Sequence, residues 1–214
     1  MPNHVTTILT FSGPEEKIKG LREDLKTEKS NFDFNKIIPM PEELDISDNS
    51  NTEFFSKLEK YRLLDLAHIF RKECEKFEGT SFKSHAIAGL LNYLNYGYVS
   101  WYHWSIENWG TEWNSYKVEY LDNNKVKFQT AWNFPYPVIQ RLSLIYPEIL
   151  IVAEYYDEDF GYNLGSYTFK AGILIDGGAL EDDSQEGYKL LWEICPYAED
   201  YLEKIDGKFI RKYE

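Results

Sequence analysis

Cysteine is scarce: the 214-residue chain has only Cys74 and Cys195. Two cysteines cannot build a disulfide framework or a cysteine metal cage. No run of 18 apolar residues occurs, so no membrane span fits the sequence. The first residues lack the charged-then-apolar pattern of a signal peptide, and a cytoplasmic location is the expectation. The phosphate-cradling loop GxxxxGK(S/T) is missing, and Gly177-Gly178 is not followed by a helix with lysine. His4, His68, His85 and His103 are scattered, with no HExxH or CxxC, so zinc chemistry has no support. GxSxG is missing too, which argues against a hydrolase elbow. No cofactor is expected. Basic residues are few, 23 against 36 acidic ones, for a net charge of −13. Such a chain repels phosphate, so a nucleic acid is a poor partner.

Rings are abundant: 17 Tyr, 13 Phe and 6 Trp, far more than a disordered chain carries. The acid is uneven. Residues 154–214 hold 15 Asp/Glu and 6 Lys/Arg, a net of −9, whereas residues 1–153 carry −4. This reads as a solvated face that keeps the protein soluble. The sharper reading is a surface that mimics nucleic acid or docks a basic partner.

Val5, Thr7, Leu9 and Phe11 alternate with Thr6, Ile8 and Thr10, which predicts a strand over 4–11. Ser12, Pro14 and the Glu15-Glu16 pair then suit a helix start. Ile18, Leu21 and Leu25 give that helix, over 14–28, its apolar face. Pro39 and Pro41 make residues 31–44 an extended segment, anchored by Phe32, Phe34, Ile37 and Ile38. Leu63, Leu66, Phe70, Cys74 and Phe77 repeat at helical spacing. Cys74 is therefore read as a buried structural thiol. A second helix over 84–96 is expected to bury Ile87, Leu90, Leu91 and Leu94.

Period two returns at Tyr116, Val118 and Tyr120, and again at Val126, Phe128, Thr130 and Trp132, with Asp122-Asn123-Asn124 between as a turn. A helix over 135–146, burying Val138, Leu142 and Ile145, and a strand over 148–156 follow. Residues 162–169 and 173–176 read as a further hairpin or edge strand. Residues 185–205 read as helix, broken near Pro196. The order is βαββαβ, the ferredoxin-like arrangement with helices on one face of an antiparallel sheet. The expected class is α+β: a ferredoxin-like domain over 1–180 with a large helical insertion at about 30–100, and a C-terminal helical extension over 181–214 packed on it. The second sheet face must be covered or be a binding surface.

Residues 98–114 read YVSWYHWSIENWGTEWN and hold Trp101, Trp104, Trp109 and Trp113. Such rings either fill the space between sheet and insertion or line a pocket. A pocket would be lined by Trp104, Glu107, Asn108, Trp109, Trp113 and Asn114. His103 and Glu107, four apart, would share a face in a helix, but the tryptophan spacing and Gly110 argue for an irregular segment. Together with MPNHVTTILTFSGPEE, FDFNKIIPMPEEL and FQTAWNFPYPVI, the WSIENWGTEWN stretch resembles the YubB-like family. The resemblance covers most of residues 1–170. It implies a ferredoxin-like domain with a helical insertion and a plasmid or phage origin, and it transfers no catalytic residue.

Two further patterns bear on chemistry. Glu154, Asp157, Glu158 and Asp159 cluster at a strand end, but without calcium-loop spacing, so a solvated end is the expectation. Lys117, Lys125 and Lys127 alternate with Tyr116, Tyr120 and Phe128, which sends the lysines and the rings to opposite faces. That arrangement does not suit base stacking. The leading expectation is a non-enzymatic binding module using its sheet and Trp-rich segment. The alternative is a small-molecule binder or enzyme with a pocket in the 101–114 segment. The partner would be a protein or a small molecule, and the chain a monomer or homodimer.

Overall fold

The computed structural model describes residues 2–46 and 80–212, with side chains resumed at Ile87. The apolar ridge from Leu63 to Phe77, Cys74 included, lies outside the described residues. The elements are β1 (His4–Ser12), α1 (Glu15–Asp24), single 3-10 turns at Phe34–Lys36 and Glu42–Leu44, α2 (Thr80–Tyr96), α3 (Trp101–Trp109), β2 (Tyr116–Tyr120), β3 (Lys125–Ala131), α4 (Tyr136–Ile145), β4 (Leu150–Asp157), β5 (Gly165–Lys170), β6 (Ile173–Ala179), α5 (Gln185–Ile194), α6 (Ala198–Tyr201), β7 (Leu202–Ile205) and β8 (Lys208–Arg211). They divide into two units: Met1–Pro39 with Asn108–Glu214, and Met40–Glu107. Among the described residues no helix is long and apolar enough to cross a membrane.

In the larger unit the sheet runs β2-β3-β1-β4-β5-β6, antiparallel throughout. Its first four strands, with α1 after β1 and α4 after β3, make the ferredoxin-like βαββαβ order. Register places Leu9 between Val126 and Ala153, and Thr7 between Phe128 and Tyr155. These residues share one face and are buried, as the period-two pattern requires. Ile18 and Leu21 from α1, Leu25 at its C-cap, and Val138, Ile139 and Leu142 from α4 are buried too. Ile145, expected in that core, is 42% exposed, because it lies in the last turn of α4.

On the opposite face Thr6, Ile8 and Tyr156 are also buried. Tyr156 joins a second cluster with Leu164, Tyr188, Leu191, Cys195 and Leu202. The C-terminal segment therefore covers this end of the sheet. It is not helical throughout. Asp206 and Gly207 take φ of 50° and 84° and turn residues 202–211 into the β7–β8 hairpin. Asp-Gly is the dipeptide that suits a turn with two positive φ values. Gln185 fastens the hairpin by donating to the Phe209 carbonyl at 2.8 Å and accepting from its N–H at 2.9 Å.

Other boundaries differ from the sequence pattern for local reasons. α1 ends at Asp24, where Thr27 and Ser30 exchange backbone and side-chain bonds that compete with helix. Its N-cap is Pro14 rather than Ser12, with no side-chain cap. β2 carries a bulge at Lys117, whose φ is 50°.

Candidate ligand-binding cleft

Among the described residues of the smaller unit, α2 passes to α3 through a connection that opens at Gly97. This glycine takes φ of +79° and donates its N–H to the Tyr93 carbonyl at 2.9 Å. This is the left-handed glycine stop of a helix C-terminus. Asn92, buried, donates to the carbonyls of Glu43 (2.7 Å) and Val99 (3.1 Å) and so fixes the connection. With Asn92 and Gly89 turned inward, the opposite stripe of α2 faces out: Ile87, Leu91 and Leu94 are about half exposed. The expectation that these three are core residues is corrected, because the inward face of α2 is set by the amide that satisfies loop carbonyls.

Residues 101–109 are helical, not irregular. Gly110, φ +80°, follows the last helical residue and marks the end of α3 rather than a distortion within it. His103 and Glu107 therefore stand one turn apart on one face. Both line a cleft of about 330 Å³ together with Tyr93, Tyr96, Gly97 and Tyr98. Its polar atoms are organised by carboxylates. The Tyr98 hydroxyl donates to Glu107 Oε2 at 2.6 Å, and the Tyr96 hydroxyl donates to Glu43 Oε2 at 3.0 Å. The bond to Glu43 raises the Tyr96 phenol above its ordinary value. The His103 ring meets Tyr102 edge-on, with centroids 5.0 Å apart.

Of the six residues expected to line one pocket, only Glu107 lines this cleft. Trp104 is buried. Asn108 is half-buried in the last turn of α3. Trp109 is buried, donates Nε1–H to the Ile38 carbonyl at 2.9 Å, and packs edge-on against Phe34. Asn114 is a loop fastener: its Oδ1 accepts from the N–H groups of Phe34 and Ser115, and its amide donates to Asp33 at 2.6 Å. Trp113 lies at the surface, 41% exposed, tilted against Tyr116. The signal for the tyrosines was the run Tyr93-x-x-Tyr96-Gly97-Tyr98, in which the first two rings share a helix face just before a glycine stop.

Elsewhere the polar groups serve the fold. Asp157, buried, accepts from Asn3 (3.2 Å), from Asn163 (2.9 Å) and from the Asp159 N–H (2.9 Å). Burial raises the carboxyl of Glu154 above its ordinary value. Among the described residues no three His, Cys, Asp or Glu gather as metal ligands. Lys127 is paired with Glu119 at 2.6 Å. A larger cavity of about 440 Å³ lies between α1 and the β2–β3 turn, where Arg22 and Lys19 face Glu15 and Glu23. Arg22 already stacks on Tyr120, 4.1 Å from its ring centre, and donates to the Asn123 carbonyl.

Residues 108–204 match the family model described as the ferredoxin-like domain in Api92-like protein. The match begins at the first residue after the smaller unit, so every cleft residue lies outside it. No curated protein matches the chain. Among solved structures the chain is similar to the protein api92 from Yersinia pseudotuberculosis, at 9% identity and a TM-score of 0.38, over 85% of this chain and 99% of that one.

Proposed function

We propose that the chain is a non-enzymatic binding module of a mobile genetic element, in which the sheet unit is scaffold and the smaller unit carries the recognition site. The mobile-element origin rests on the YubB-like resemblance of its four motifs. The observation that carries the binding role is the cleft of Tyr93, Tyr96, Tyr98, His103 and Glu107. It supplies aromatic walls with a few placed polar groups, the usual composition of a ligand site. The sheet is less suited, since both faces of its central strand are largely buried.

The test is a thermal-shift and ligand-observed NMR screen of a fragment library. A ligand at about 100 times its Kd adds roughly 2.7 kcal/mol to stability. Hits are expected to be weakened by Tyr98→Leu and by Glu107→Gln. Hits indifferent to both substitutions would contradict the reading. A second reading, catalysis in the same cleft, draws on His103 and Glu107 sharing it as an acid–base pair. It requires that a bound fragment be turned over, and that His103→Gln stop turnover without stopping binding.

A further inference from the structure

We infer that the cleft takes an organic cation, an alkylammonium head presented by a free amine or by a lysine side chain. The inference rests on reading the cleft as the recognition site, and it adds the ligand's chemistry. Three observations converge on it. First, three tyrosines, Tyr93, Tyr96 and Tyr98, line the cleft, and among the described residues no Lys or Arg lines it. A ring face carries partial negative charge and attracts a cation placed over it. Second, carboxylates stand at the same place: Glu107 lines the cleft, and Glu43 accepts from the hydroxyl of its Tyr96. The two tyrosine hydroxyls orient those carboxylates without neutralising them.

Third, the helix ends at the cleft carry no compensating positive charge of their own. α2 runs 17 residues and ends at Tyr96, beside the cleft, with no basic residue in its last turn. Its negative pole is therefore not balanced by its own sequence. α3 also lacks a basic residue in its last turn, and it places Glu107 there, a carboxylate at the negative end of the helix. That placement is locally unfavourable. A cation in the cleft would meet the rings, Glu107 and the pole of α2 together, and would relieve the repulsion. A neutral ligand of the same shape would gain only the ring contact.

The experiment uses the full chain at low salt, titrated calorimetrically with choline and with its neutral carbon isostere 3,3-dimethyl-1-butanol. Choline is expected to bind at least about tenfold tighter than the isostere, and to weaken as salt rises. Glu107→Gln and Tyr98→Leu should each cost choline about tenfold. Tyr98→Phe, which keeps the ring and loses the hydroxyl, should cost less than about threefold. Circular dichroism and melting temperature confirm that each variant is folded, as the exposure of Glu107 leads one to expect. Spermidine and a short lysine peptide then separate the sources. Tighter binding of spermidine assigns a free amine, and tighter binding of the peptide assigns a partner's lysine. Both outcomes support the cation. Equal binding of choline and its isostere, with both lost in Tyr98→Leu, would overturn the cation and leave the cleft as the site. Cation binding untouched by Glu107→Gln and Tyr98→Leu would overturn the cleft as well.

Discussion

The same residue type does opposite work in the two units. In the sheet unit rings are packed against rings. Phe32 stacks on Phe128 with centroids 5.0 Å apart, Phe134 stacks on Tyr155 at 4.6 Å, and Phe34 meets both Phe128 and Trp109 edge-on. The indole N–H of Trp109 goes to the backbone carbonyl of Ile38. In the smaller unit Tyr93, Tyr96 and Tyr98 are only half-buried, and the hydroxyls of Tyr96 and Tyr98 go to exposed carboxylates. Rings bonded to backbone and buried hold a fold together. Rings half open to solvent, beside carboxylates that form no ion pair among the described residues, present a surface of a different kind.

That contrast breaks first where packing dominates. Phe128 is fully buried against Phe32 and Phe34. Phe128→Ala is expected to cost about 3–5 kcal/mol, read as a lower urea midpoint. Gly110→Ala comes next. The φ of +80° disfavours any side chain, and a Cβ there would stand 2.8 Å from the Pro137 Cδ. A loss of about 1–3 kcal/mol is expected, measured the same way.

A smaller effect belongs to the C-terminal cover. The hydrogen bond from Tyr188, then that from Tyr162 and the charge of Arg211, hold the Asp183 carboxyl below its ordinary value. Burial and the Asp183 bond push the Tyr188 phenol up to about 12. A carboxyl with a depressed folded-state pKa contributes stability above its unfolded pKa. That contribution is lost as the pH falls through the folded value. Asp183 is exposed, so the Asp183→Asn loss at neutral pH should stay below about 1 kcal/mol and vanish in acid. Fluorescence of Trp192, which packs against Phe209 in this segment, reports it. Smallest of all is Glu107→Gln, expected within about 0.5 kcal/mol of the parent in a urea melt, since the residue is exposed. A destabilisation comparable to Phe128→Ala would make Glu107 a structural residue and erase the distinction between the units.

The ferredoxin-like core was readable because its signals are local and redundant. Alternation in β1 and β3, a helix start after Ser12, and the apolar spacing of Val138 and Leu142 in α4 all point the same way. What was misread turned on glycine and on amides. Gly110 looked like an interruption in an aromatic segment, yet it is the stop that lets residues 101–109 be helix. Asp206-Gly207 is a hairpin turn inside the C-terminal extension over 181–214 that was expected to be helical. Asn92 set which face of α2 points inward, against the apolar stripe of Ile87, Leu91 and Leu94. The expected pocket mixed residues of two kinds. Asn114 and Trp109 are polar or aromatic in sequence, but their bonds are to the fold, and spacing alone does not reveal a bonding partner about 80 residues away.

The division of labour between the units is tested most directly by NMR with ring-labelled tyrosine, titrating choline into the full chain. The predicted result is a set of saturable shifts confined to Tyr93, Tyr96, Tyr98 and Tyr102, with Tyr155, Tyr167 and Tyr188 unmoved. Shifts centred on the sheet-unit tyrosines would contradict it.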